Sequence, residues 1–154
     1  MSQVFQHWLT AIALLVCCCS PTAKADTAVD TWPQWRGPSR DSQLKNQIWP
    51  ESLSADHLTE SWQVALGESY SGPIVAEDRV FVTETINKQY ESVRALDRTS
   101  GKQLWERRWE GSMTVPFFAA SNGSWIRSTP AYDGKRLYVA GMRDVLVCLE
   151  GQTC

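Results

Sequence analysis

The stretch "ALDRTSGKQLW", Ala95 to Trp105, has the alternation and turn chemistry of a tight β-hairpin. Centred on Ser100, it sets Ala95 opposite Trp105, Arg94 opposite Glu106 and Leu96 opposite Leu104, around a five-residue loop from Arg98 to Lys102. Each residue type then has a reason. Ala95 leaves room for the indole across the strand pair, and Gly101 supplies the positive φ with which the loop rejoins the strand. Asp97 accepts hydrogen bonds from loop N–H groups. Arg94 and Glu106 are expected to form a cross-strand ion pair worth a few tenths of a kcal/mol. Nothing in the hairpin requires a ligand.

Outward from this hairpin the chain has almost no helical periodicity after residue 26. Short apolar or alternating runs recur between turn residues instead. "PIVA", "RVFVTET", "YESVRALD" and "KQLWERRW" predict a four-stranded antiparallel meander with turns near Glu77-Asp78, Asn87-Lys88 and Thr99-Gly101. Upstream, "LTESWQV" (Leu58 to Val64) reads as a strand with Trp62 and Val64 on one face. The meander then repeats: "SGPIVAEDRVFV" from Ser71 aligns without a gap on "STPAYDGKRLYV" from Ser128, 57 residues on. After a shorter loop "ESVRALDRTSG" matches "DVLVCLEGQTC", with Cys154 where Gly101 stands. A four-stranded sheet with apolar residues on both faces cannot bury them alone, so it must stack on copies of itself.

Ala95, Asp97, Gly101, Lys102 and Trp105 match the A-x-D-x-x-T-G-K-x-x-W tryptophan-docking motif, with Ser100 where Thr is usual. On these residues the chain resembles the pyrroloquinoline quinone (PQQ)-like β-propeller repeat family. "WPQWRGP" from Trp32 resembles the leading segment of its exported bacterial members, and the resemblance covers about Trp32 to Thr153. It implies an all-β fold, an incomplete β-propeller of four-stranded antiparallel PQQ-like blades. The complete blade is expected at about 71–109, with partial blades at 58–70 and 128–154. Propellers close with roughly 4 to 8 blades. The chain is therefore expected to be a truncated or frameshifted piece of a longer propeller, with assembly of several copies into one ring as the alternative.

The amino terminus reads as an address. "WLTAIALLVCCC", Trp8 to Cys19, followed by "AKA" at Ala23 to Ala25, has the apolar run and small-x-small cleavage site of a secretory signal peptide over residues 1–25. At about 12 residues the run is too short to span a membrane. Cys17 to Cys19 lie inside it with Val16 ahead of them, a poor lipoprotein signal, and are read as apolar filler. Residues 26–57 read as an extended Trp/Pro-rich segment whose Trp32 and Trp35 pack onto the domain. Six residues of strand would separate Cys148 from Cys154 by about 20 Å, so no disulfide is expected between them. A net charge of -2 in 154 residues gives no basic surface for a nucleic acid.

Catalytic signatures are lacking. His57 is the only histidine beyond the signal, in the surface-like context "SADHLTE", with no co-ligand spacing or nucleophile motif around it. Glu84 and Glu91 invite a glycosidase reading, which one acidic pair among 17 acids does not support. No catalytic, cofactor-binding or metal residue is assigned. Between the repeats "EGSMTVPFFAASNGSWIR", Glu110 to Arg127, is an insertion whose Phe117, Phe118 and Trp125 either line a groove or pack beneath their own loop, the second being favoured.

The family includes quinoprotein dehydrogenases, which bind PQQ and calcium, and non-enzymatic proteins such as the assembly lipoprotein of the outer-membrane β-barrel machinery. Beyond the expected signal peptide, the dehydrogenases' vicinal cysteine pair has no counterpart, and no Glu, Asn and Asp calcium set is assignable. The expectation is a non-enzymatic interaction scaffold, exported to the periplasm or cell envelope, with a protein partner or other copies completing the propeller and no membrane span. The alternatives are a fragment of a PQQ-dependent dehydrogenase and, more weakly, a carbohydrate-binding module using Phe117, Phe118 and Trp125.

Overall fold

The structure is a computed structural model and describes residues 31–44, 50–111 and 113–152. The expected signal peptide over residues 1–25, Cys17 to Cys19 within it, and Cys154 lie outside the described residues. Strands β1 (Ile74–Ala76), β2 (Arg79–Ile86), β3 (Tyr90–Asp97) and β4 (Gln103–Glu110) form one antiparallel sheet in chain order. Strands β5 (Ala131–Tyr132), β6 (Arg136–Ala140) and β7 (Leu146–Glu150) form a second sheet in the same order. The fold is all-β, an incomplete propeller of two stacked blades, and the gap-free sequence match is a structural one. Ile74 lies opposite Phe81 as Ala131 lies opposite Tyr138.

The turns follow from their residues. Asn87 and Lys88 both have positive φ (52° and 54°) in the three-residue turn that joins Ile86 to Tyr90, a left-handed conformation that asparagine tolerates best among side-chain-bearing residues. Packing follows from alternation. Phe81, Val93, Ala95 and Trp105 face the second sheet and meet Tyr132, Leu137, Val139 and Leu149. Val80, Val82 and Leu96 point the other way, onto Trp62 and Val64. The first sheet is thus covered on both faces, and β2 and β3 are buried along nearly their whole length, polar Thr83, Glu84, Glu91 and Ser92 included, where a one-faced sheet would alternate.

Four expectations are corrected. Leu96 pairs with Gln103 rather than Leu104, because a β-bulge falls between Ala95 and Leu96 where the loop widens the strand pair. Arg94 does stand opposite Glu106, but its guanidinium pairs with Glu84 at 3.0 Å and donates to the Ala65 carbonyl at 2.7 Å. The inner, desolvated carboxylate wins over the one on the solvent side, and Glu106 pairs with Arg108 along its own strand. Leu58 to Val64 packs Trp62 and Val64 on the sheet as expected, yet it joins no ladder among the described residues. Trp35 is 69% exposed rather than packed. Trp32 does dock: its backbone exchanges hydrogen bonds with Val75 at 2.6 and 3.0 Å, and the Pro33 carbonyl accepts from the Tyr132 N–H at 2.8 Å. One short segment therefore crosses the β1 and β5 ends of both sheets.

Candidate functional site

The hairpin that decided the fold is a clasp between blades. The Asp97 carboxylate accepts from the Ser100 N–H at 2.7 Å and the Ser100 hydroxyl at 2.6 Å, which closes the loop and holds its carboxyl below its ordinary value. That loop presents Gly101 at φ 70°, flat against the Trp62 ring, where a Cβ would come within 2.6 Å of the indole. The Trp62 N–H donates to the Arg98 carbonyl at 2.9 Å. At the next junction Trp105, buried opposite Ala95, donates to the Gly151 carbonyl at 3.3 Å. The motif residues are consumed by this docking.

Two buried carboxylates reinforce the same junctions. Glu91 is fully buried; it accepts from the Trp109 indole N–H at 2.8 Å and, across the junction, from the Met142 N–H at 2.9 Å. Glu84 accepts from the Gly67 N–H at 2.5 Å on the opposite face. The two acids therefore serve opposite faces of one sheet and do not flank a substrate. Sequence reasoning missed the Glu91 role, although the signal was present. Glu91 shares the strand parity of Val93 and Ala95, and a carboxylate on an apolar face needs donors.

His57 is exposed, its Nδ1 2.8 Å from the Ser52 carbonyl, as expected of a surface residue. Among the described residues no three His, Cys, Asp or Glu side chains come together. A cavity of about 280 Å³ beside the β1 and β5 ends is lined by Thr31, Pro33, Ala76, Glu77, Tyr132, Asp133 and Gly134. Its Asp133 is already committed to the Lys135 and Arg136 N–H groups and the Tyr138 hydroxyl. Glu77, the other carboxylate of the lining, accepts from the Gln152 amide at 3.3 Å, so both acids there already have partners within the chain.

The loop between the sheets is the most exposed apolar feature. A 3-10 turn, Phe117–Asn122, ends at Gly123, whose backbone lies on the Trp125 ring. The base is pinned: the Tyr70 hydroxyl donates to the Asn122 carbonyl at 2.8 Å, and the Arg127 guanidinium sits 4.9 Å from the Tyr70 ring centre. At the tip Phe117 and Phe118 meet edge to face at 5.6 Å and are 92% and 76% exposed. The favoured reading therefore holds for Trp125, which packs beneath its own loop, and fails for the two phenylalanines. The three aromatics do not form a groove.

A family model described as outer membrane protein assembly factor BamB, of the PQQ-repeat type, matches residues 44–124 and again 89–153. The chain belongs to this PQQ-repeat family. No curated protein matches it. In PQQ-repeat terms the first sheet is a whole blade, the second sheet holds three strands of another, and Trp62 and Trp105 are the docking tryptophans of successive junctions.

Proposed function

We propose that the chain is a non-enzymatic β-propeller scaffold of the periplasm or cell envelope, binding protein and no cofactor. The observation that carries this reading is the exposed Phe117–Phe118 tip on a pinned loop. Two large aromatics held in water by their own backbone fit a protein contact, where aromatic anchors supply most binding energy. The description of the matching family, an outer membrane assembly factor, supports both the partner class and the location. Both acids lining the cavity at the β1 and β5 ends are engaged by donors of the chain itself, which supports a reading without a quinone there.

The test is titration of the purified chain with PQQ and calcium. The expected result is no saturable binding and no dye-linked oxidation of alcohols or sugars. Saturable binding with oxidation overturns the scaffold in favour of a dehydrogenase fragment.

A further inference from the structure

The segment that crosses both sheets carries two tryptophans with opposite fates. Trp32 turns its ring inward against the backbone of Gly37, where a Cβ would meet the indole at 2.8 Å. Three residues on, Trp35 turns outward and is 69% exposed. The loop around it is closed on itself. The Gly37 N–H donates to the Gln34 carbonyl at 3.0 Å, the Arg40 N–H to the Gly37 carbonyl at 3.1 Å and the Ser42 N–H to the Arg36 carbonyl at 3.0 Å. Arg36, Arg40 and Ser42 all have left-handed φ, at 65°, 57° and 62°. Such backbone is costly at residues with a side chain and collects at ligand clamps.

Trp35 lines a cavity of about 360 Å³ together with Gln34, Arg36, Arg40 and the Thr129–Ala131 run that leads into β5. Two guanidiniums line it and no carboxylate does. Arg36 donates from Nε to the Ser42 hydroxyl at 3.1 Å and holds its guanidinium 5.6 Å from the Trp35 ring centre. Arg40 donates from Nε and Nη2 to the Gln34 Oε1 at 3.3 and 3.2 Å, and the Gln34 amide is braced in turn by the Pro38 carbonyl at 3.3 Å. Both Nη atoms of Arg36 and Nη1 of Arg40 have no acceptor among the described residues, and neither side chain is in an ion pair there. Charged donors beside a water-exposed indole, with no acid to neutralise them, suit an anion that also has an apolar face.

We propose that this cavity binds an acidic sugar, a hexose unit of a glycan that carries a carboxylate or a sulfate ester. The indole takes the C–H face of the pyranose ring. The free guanidinium N–H groups take the anionic group as a fork, a geometry that carboxylate and sulfate share. Thr129 adds a hydroxyl to the lining for the ring hydroxyls. The volume lies at the small end of the usual range of about 300–1,000 Å³, which suits one ring and its anionic group. The site goes beyond the scaffold reading and does not depend on it, because no residue of the Phe117–Phe118 loop lines this cavity.

Calorimetric titration of the full chain with a galacturonate trimer and with a sulfate-ester galactose trimer tests this, and the two arms tell carboxylate from sulfate. The expected result is saturable binding of at least one, weakened as salt rises, and none of the neutral galactose trimer. Trp35→Ala is expected to weaken binding at least ~10-fold with an unchanged circular dichroism spectrum, since the ring is exposed. Arg36→Gln with Arg40→Gln is expected to abolish binding, and the Trp35 variant keeps the test independent of how that pair folds. Benzoate and phenyl sulfate, flat anions without ring hydroxyls, are expected to bind at least ~10-fold more weakly than the matching sugar. Binding of neither acidic trimer, equal binding of the neutral trimer or of the flat anions, or parental affinity in Trp35→Ala overturns the proposal. Each of these leaves the scaffold reading standing, which only the quinone titration removes.

Discussion

The indole N–H of Trp105 donates to the carbonyl of Gly151 at 3.3 Å, and the Trp62 indole makes the same contact with Arg98 at 2.9 Å. In each pair the donor belongs to one blade and the acceptor to the turn of the next. Arg98 and Gly151 are also equivalent in the repeat, each following the acidic residue that ends its third strand. Stability in such an array is a sum of blade terms and nearest-neighbour junction terms, and these indoles belong to the junction.

Trp105→Phe keeps most of the apolar ring against Phe81, 5.8 Å away, and deletes the donor to Gly151. It is expected to cost about 1–2 kcal/mol. Trp105→Ala also opens a cavity and is expected to cost about 3–5 kcal/mol. Urea unfolding followed by circular dichroism measures both, and a Trp105→Phe variant as stable as the parent would show that the hydrogen bond carries nothing.

Gly101 is the second half of the clasp at the Trp62 junction. Its φ of 70° and the indole 2.6 Å from any added Cβ oppose a side chain twice over. Gly101→Ala is expected to lower stability by about 1–3 kcal/mol and to red-shift Trp62 emission as the ring is pushed into water. An unshifted spectrum with full stability would mean that the indole does not rest on the loop.

Much of this was legible because local chemistry and global stacking agree. The Ala95–Trp105 pairing, the five-residue loop and the 57-residue repeat follow from turn residues and strand parity, and each holds in the structure. What was not legible depends on which of two neighbours is more deeply desolvated. Arg94 has Glu106 opposite it on β4 and Glu84 beside it on β2, and only packing of the 58–70 segment over Glu84 decides between them. The Leu96–Gln103 bulge is likewise a property of the closed loop, unmarked by any residue type. Exposure of Phe117 and Phe118 was equally hidden, since two aromatics in a loop read the same whether they face in or out.

Glu91 is expected to be the costliest polar position to change. Glu91→Leu leaves the Trp109 and Met142 N–H groups, 2.8 and 2.9 Å from the carboxylate, without acceptors in a buried site, at about 2–5 kcal/mol. Glu91→Gln keeps the shape and one acceptor oxygen, and is expected to lose less. Unfolding midpoints that rank Gln below Leu would contradict the two-donor geometry.

Phe117 and Phe118 are expected to behave in the opposite sense. Being 92% and 76% exposed, they contribute little to the fold, so Phe117→Ser with Phe118→Ser is expected to leave the unfolding midpoint within about 0.5 kcal/mol of the parent. The same variant is expected to lose an envelope partner that the parent captures through a photo-crosslinker at the neighbouring exposed Ala120. A large loss of stability would place the pair in the core and remove it as a docking tip.

Acid sensitivity follows from three depressed carboxylates. The Ser100 hydroxyl and N–H hold Asp97 below its ordinary 3.8. The Arg136 N–H foremost does the same for Asp133, and the Arg108 guanidinium holds Glu106 below 4.5. A carboxyl whose folded value lies below its unfolded one stabilises the fold at pH above the unfolded value, and that contribution is lost as pH falls through the folded one. Thermal midpoints are therefore expected to be flat near neutrality and to fall below about pH 4. Asp97→Asn together with Asp133→Asn is expected to lower the midpoint at neutral pH, where both carboxylates accept from their loops, and to flatten the acid limb. A double variant that tracks the parent through the acid range would show that these loops do not depend on charge.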